Sequence, residues 1–145
     1  MIKKIQVIIS MNDSKQLVKQ LREMTGAGIL DCKKYLVKAN NNIDEAIKLF
    51  RSEAGVKANK KGSRIAAEGI VNFYQNDKNM LLLELNSETD FVARDSNFIN
   101  LAESIANKLL ENDETKVINE ISNEISSTIS KLGENIKLRR FIKVE

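Results

Sequence analysis

The segment Met80–Leu85 reads Met-Leu-Leu-Leu-Glu-Leu, and it limits the possible folds more than any other stretch. A nearly continuous apolar run of this length is the pattern of a central strand, paired on both edges. The turn composition of Asn76-Asp77-Lys78-Asn79 precedes it. Before that turn, Gly69–Gln75 is rich in strand formers (Ile70, Val71, Phe73, Tyr74) and supplies one partner through a hairpin. The other partner is the alternating segment at the end of the sequence. There Ile136, Leu138, Arg140, Ile142 and Val144 are expected to share one face. Two helical stripes intervene. One starts near Ser96 and carries Phe98, Leu101, Ala102, Ile105 and Leu109. The other spans Glu114–Leu132 with Val117, Ile121, Ile125 and Ile129, and Gly133 stops it. Residues 66–145 are therefore expected to form an α+β core domain, a three-stranded antiparallel sheet packed on helices.

Residues 13–55 carry a different pattern. Asp13 or Ser14 can cap a helix with Leu17, Val18, Leu21 and Met24 on its apolar stripe. Thr25-Gly26-Ala27-Gly28 breaks it. Ile29, Cys32, Leu36 and Ala39 form a second stripe, with Asn40 as a left-handed terminator. Asn42 and Glu45 have the spacing of a capping box. A third helix follows with Ala46, Ile47 and Phe50, ending near Gly55. Three short helices with tight links make a small bundle. Residues 1–12 are an extension in which Ile5, Val7 and Ile9 alternate weakly and could add a strand. Residues 56–65 contain the basic stretch Lys57–Arg64 and are expected to be a linker. A phosphate-contacting patch is the sharper alternative there, without aromatic residues to support it.

Composition removes several function classes. The chain has one cysteine and no histidine. No internal disulfide can form, and the commonest general base and metal ligand is missing. Carboxylate pairs such as Glu84/Glu88 and Asp90/Asp95 are what a highly charged surface produces. Cys32 lies on an apolar stripe without an evident base and reads as a core residue. Gly26-Ala27-Gly28 lacks the length and context of a phosphate loop. No cofactor motif remains, and an enzyme is not expected. No membrane span is evident, and a net charge of +3 does not by itself argue for nucleic-acid binding. Phe91 is the oddity, an aromatic with Asp90 in a polar stretch beyond a strand. It could tuck into its own core, the commoner outcome, or project as an anchor for a partner.

Three ordered motifs resemble the elongation factor Ts family. They are Leu21-Arg22-Glu23-Met24-Thr25-Gly26-Ala27-Gly28 with Asp31-Cys32-Lys33-Lys34, then Leu85–Arg94 (LNSETDFVAR), then Gly133-Glu134-Asn135-Ile136 with Arg139-Arg140-Phe141. The resemblance covers nearly everything from about Lys15 onward. It implies a ubiquitin-associated-like three-helix module joined to an α+β core. It also implies a guanine-nucleotide exchange factor that binds elongation factor Tu and promotes GDP release. Thr89, Asp90, Phe91 and Val92 would disturb the magnesium site of the GTPase. Arg22, Ile29 and Leu30 would contact its G domain, Ile29-Leu30 standing where many members have two methionines. Against longer members, the resemblance suggests a compact form without the second core half and helical protrusion. It further suggests a homodimer, paired through the last strand, where Ile142 stands in place of the cysteine of one compact relative. No direct nucleic-acid or membrane partner is implied. The expected setting is bacterial cytoplasm, or an organelle matrix or stroma. The alternative is a module that holds the GTPase, or another helical partner, with weak exchange.

Overall fold

A computed structural model describes the backbone of residues 2–144 and the side chains of residues 14–144. The elements in order are α1 (Ile2–Thr25), α2 (Ile29–Lys38), α3 (Ile43–Lys61), β1 (Glu68–Gln75), β2 (Met80–Ser87), α4 (Asp90–Ala93), α5 (Ser96–Glu111), α6 (Glu114–Leu132) and β3 (Lys137–Val144). The fold is α+β, with three helices followed by a core of sheet and helices. Two compact units, Met1–Glu53 and Ala54–Glu145, meet within α3.

The first unit closes on Leu21, Cys32, Tyr35, Leu36, Ala46 and Phe50, all buried. Tyr35 and Phe50 meet edge to face, with ring centroids 5.8 Å apart, a favoured aromatic geometry. The Tyr35 hydroxyl donates to Glu53 Oε2 at 3.1 Å, which gives the buried ring a polar outlet. Asn40 and Asn41 both take positive φ, as expected of a left-handed helix stop. The Glu45 amide donates to Asn42 Oδ1 at 3.1 Å, so Asn42 caps α3 as the spacing indicates.

Several expectations fail here. Residues 2–10 are helical, not extended, and Asp13 and Ser14 lie inside α1. Ile2, Ile5 and Ile9 have the 3 and 4 spacing of a helix face, which competes with the alternation of Ile5, Val7 and Ile9, and no Gly or Pro interrupts the stretch. The cap preference of Asp and Ser is weaker than helix continuation. Met24 is exposed and does not share the buried stripe of Leu21. Gly55 does not end α3, which runs on through Lys57–Lys61. A single helical glycine costs about 1 kcal/mol relative to alanine. Lys60 and Lys61 in the last turn suit the negative end of the helix dipole.

In the second unit the strand order is β1-β2-β3, antiparallel throughout, with β2 central. Leu81, Leu83 and Leu85 are wholly buried against α5 and α6, through Phe98, Ile105 and Ile121 among others. Asn76 makes the hairpin turn, its Oδ1 accepting from the amides of Lys78 and Asn79. Gly69 is obligatory. At φ 145° its backbone lies so close to β2 that an added Cβ would stand 2.1 Å from the Leu85 carbonyl oxygen.

The face expected for the last strand is also corrected. The β2–β3 register shifts between Glu84 and Leu85, which face Arg140 and Leu138, leaving Arg139 as the extra residue of a bulge. Leu138 therefore points to the core, while Arg140, Ile142 and Val144 point to the opposite face. Phe141 replaces them on the core side, paired with Leu83. The bulge brings Arg139 and Arg140 to one carboxylate, Glu84, at 3.6 and 2.7 Å. Among the described residues no helix is long and apolar enough to cross a membrane.

Glu53 gathers Lys38 at 2.7 Å, Lys34 at 3.6 Å and the Tyr35 hydroxyl. The Lys38 hydrogen bond, then that of Tyr35 and the charge of Lys34, hold its carboxyl below the ordinary value of 4.5. A depressed carboxyl stabilises the fold above its unfolded value, and the effect is lost as pH falls through the folded value. Glu53→Gln is expected to lower the thermal midpoint at about pH 7, with the difference from wild type shrinking as pH falls below the ordinary carboxyl value. Thermal melts of the two proteins across that range check this.

Candidate functional site

The segment after β2 forms one short helical turn whose cap is Thr89. The Thr89 hydroxyl oxygen accepts from the Val92 amide at 3.4 Å. The same hydroxyl donates to Glu134 Oε1 at 2.7 Å, and the Thr89 amide donates to Glu134 Oε2 at 3.0 Å. Ser87, itself fully buried, donates its hydroxyl to the Thr89 carbonyl at 2.9 Å. Val92 and Ala93 then turn toward the core beneath. Phe91 turns the other way and is 82% exposed. Its own core does not claim it, so the commoner expectation for such an aromatic fails. Asp90 pairs with Arg94 at 3.0 Å, both side chains substantially exposed. A surface pair of this kind contributes little and is easily exchanged for another partner.

The end of the turn leads directly into α5. Asp95 caps it, Oδ1 accepting from the Asn97 amide at 2.7 Å. That backbone bond is the first cause of the lowered carboxyl pKa of Asp95, which stays ionised at the positive end of the helix. Thr89, Asp90, Phe91 and Val92 thus form one contiguous turn, capped at its start by the Thr89 side chain and closed by the Arg94 backbone amide.

Arg22, Ile29 and Leu30 lie in the first unit, at the corner between α1 and α2. Gly26 takes φ 67° there, a turn that residues with a Cβ rarely make. The Thr25 hydroxyl donates to the Leu21 carbonyl at 2.6 Å and accepts from the Ala27 amide at 3.2 Å. Ala27 and Cys32 are buried beneath the corner, and burial raises the Cys32 thiol pKa, as befits a core thiol. Ile29 and Leu30 open α2 with 50% and 81% of their surface exposed. Ile29 therefore does not complete the buried stripe of Cys32 and Leu36. Met24, near the end of α1, is likewise exposed.

The residues that sequence reasoning left without a role are Glu88, Glu134 and Asn135. Glu88 Oε1 accepts from the Asn135 amide at 2.6 Å and lies 3.5 Å from Arg64. The buried Asn135 side chain donates to the Arg64 carbonyl at 2.7 Å. The only signal in the sequence was their place in the second and third motifs.

Comparison with known proteins agrees with this arrangement of motifs. A family model described as Elongation factor TS matches residues 88–145. The chain is similar to proteins named Elongation factor Ts from Marinobacter nauticus, 46% identical over 135 residues, and from Legionella pneumophila strain Paris, 45% identical over 140 residues. A third, from Halothermothrix orenii, is 42% identical over 151 residues. These alignments cover 89%, 88% and 94% of this chain, but 47%, 48% and 49% of the relatives. The chain spans about half the length of the curated relatives it matches.

The exposure of Phe91 separates it from the core aromatics. Phe91→Ala is expected to change unfolding free energy by less than about 0.5 kcal/mol. Phe98→Ala, at a wholly buried position, is expected to cost about 3–5 kcal/mol. Chemical denaturation of the two variants gives both numbers.

Proposed function

The chain belongs to the elongation factor Ts family, and on that premise we propose that it acts as a guanine-nucleotide exchange factor on elongation factor Tu. The observation that carries the reading is Phe91. It is an aromatic held away from a core whose other large side chains are buried, on a turn whose neighbours are fixed. An exposed aromatic on a turn anchored at both ends is suited to insertion into a partner.

The mechanism needs no covalent step. An exchange factor must bind the nucleotide-free GTPase more tightly than the GDP-bound form. Linkage then makes it weaken GDP binding by the same factor. In this reading Phe91 enters the G domain as a wedge, and Asp90 leaves Arg94 for polar groups nearby. Thr89 and Val92 set the orientation of that wedge. Displacement of the bound magnesium removes the charge that bridges phosphate and protein oxygens. Arg22, Ile29 and Leu30 add a second contact from helices α1 and α2, which we take as a ubiquitin-associated-like module over residues 13–55. Its exposed Ile29-Leu30 pair supports a hydrophobic contact and Arg22 a polar one.

A second copy of the chain is the proposed partner for the open face of the sheet. Phe73, Leu82 and Ile142 lie in register across the three strands on that face, and Met80 pairs with Val144 beside them. All five are exposed. Side chains leave a strand perpendicular to the sheet, so the apolar set of β3 belongs to this face and not to the strand's edge. An apolar face of this kind rimmed by the Glu84 ion pairs is the form of an interaction surface.

Release of fluorescent GDP from elongation factor Tu tests the exchange reading. Wild type is expected to accelerate it, and Phe91→Ala to lose at least about tenfold of the effect, with its fold intact. An unchanged rate in that variant would remove the wedge assignment. Light scattering tests the dimer: Leu82→Lys is expected to yield monomers where wild type yields dimers, and a monomeric wild type overturns the pairing.

A further inference from the structure

Two loops of the second unit hold each other through a reciprocal pair of glutamates. Glu134, in the loop from α6 to β3, accepts both the amide and the hydroxyl of Thr89. Glu88, adjacent to Thr89, accepts the amide of Asn135, adjacent to Glu134. Each loop thus supplies one carboxylate to the other's backbone. The α6 side is itself fixed. Gly133 takes φ 83° to redirect the chain after α6, and its carbonyl accepts from Lys61 Nζ at 2.6 Å. The buried Asn135 side chain ties the same loop to Arg64.

We propose that Glu134 is a positioning residue for Phe91, fixing the Thr89 cap so that the aromatic stays presented to a partner. The proposal rests on the reading of Phe91 as the exchange wedge. A four-residue helical turn does not hold itself, since forming a first turn orders several residues for one hydrogen bond. Val92 and Ala93 pin its far end to the core. On its near side the fixed points are the Ser87 bond and the two bonds from Glu134. Carboxylate acceptors make the stronger bonds. The Thr89 hydroxyl donates to Glu134 and accepts from Val92, both of which its single hydrogen and two lone pairs allow. Donation to a carboxylate polarises the oxygen and strengthens what it accepts. Phe91 lies between the cap and Val92, so loss of the cap frees the residue that must arrive ordered. A wedge that must be ordered on binding loses part of its differential contact energy.

The test uses the full chain as wild type, Glu134→Ala and Glu134→Gln, with Phe91→Ala as the control on the exchange reading. Backbone amide order parameters of Asp90–Ala93 are measured in the free protein, where no GTPase is needed. They are expected near about 0.85 in wild type and below about 0.6 in Glu134→Ala, with Glu134→Gln between. The maximal rate of GDP release from elongation factor Tu is expected to fall about tenfold in Glu134→Ala. A merely structural role would lower the thermal midpoint and leave the turn as ordered as β2. A rigid turn in both Glu134 variants overturns the proposal, as does a loosened turn with undiminished release while Phe91→Ala abolishes it. If Phe91→Ala and Glu134→Ala both leave release unchanged but the turn loosens, the clasp stands and the exchange reading falls. Should Glu134→Ala fail to fold, Glu134→Gln decides alone by the same two measurements.

Discussion

Strand β2 is the constraint on which the second unit depends. It pairs on both edges, and three of its leucines face inward without any exposure. Burying a leucine side chain contributes about 1.5–3 kcal/mol, so these positions hold a large share of what closes the core. The same strand ends in Asn86 and Ser87, both buried, and continues into the Thr89 cap. The exposed turn is therefore mounted on the most firmly held element of the unit. Functional groups on rigid elements keep their geometry better than those on free loops, and here a turn gains that benefit by proximity to the sheet's centre.

One bulge determines what the sheet shows to its surroundings. Had β3 alternated without interruption, Leu138, Ile142 and Val144 would all point one way. The extra residue Arg139 divides them, sending Leu138 and Phe141 inward and Ile142 and Val144 outward. The outward residues meet Leu82, Phe73 and Met80 to make an apolar face, bordered by Glu84 with its two arginines. The inward face is covered by α5 and α6. A sheet with one covered and one bare apolar face is incomplete as a surface in water, which is the physical basis for proposing a second copy against it.

How far the sequence is legible follows from which interactions are local. The apolar run of β2, the stripe of α5, the Asn42 cap and the Gly133 stop depend on residues close in sequence, and all are realised. The β3 face departs from simple alternation because the bulge arises from pairing with β2, which local sequence does not encode. The start of α1 and the end of α3 differ from the local signals because Asp13 and Ser14 can cap a helix without requiring one to start there, and Gly55 is only a mild breaker. At the candidate site, Thr89–Val92 stands out through the family resemblance, while local sequence is compatible with either a buried or an exposed Phe91. Its exposure is a tertiary fact, set by Val92 and Ala93 occupying the inward positions. The Glu134–Thr89 bonds span 45 residues of sequence, beyond the reach of any local pattern.

Stability and the proposed activity draw on different sides of the same turn. Val92 and Ala93 belong to the core and contribute to folding. Phe91 is 82% exposed, so its apolar surface contributes little to folding and the cost of hydrating it remains. That cost is recovered only when a partner covers the ring. In the proposed exchange reaction, that gain favours GDP release only to the extent that the ring is better covered in the nucleotide-free GTPase than in the GDP-bound one. A residue buried in its own core would gain nothing from binding, and a freely moving one would lose much of the gain to ordering. Phe91 avoids both losses because the turn is held on one side by the core and on the other by Glu134. In that reading the turn acts on a partner through shape and position, and the proposed exchange needs no covalent step.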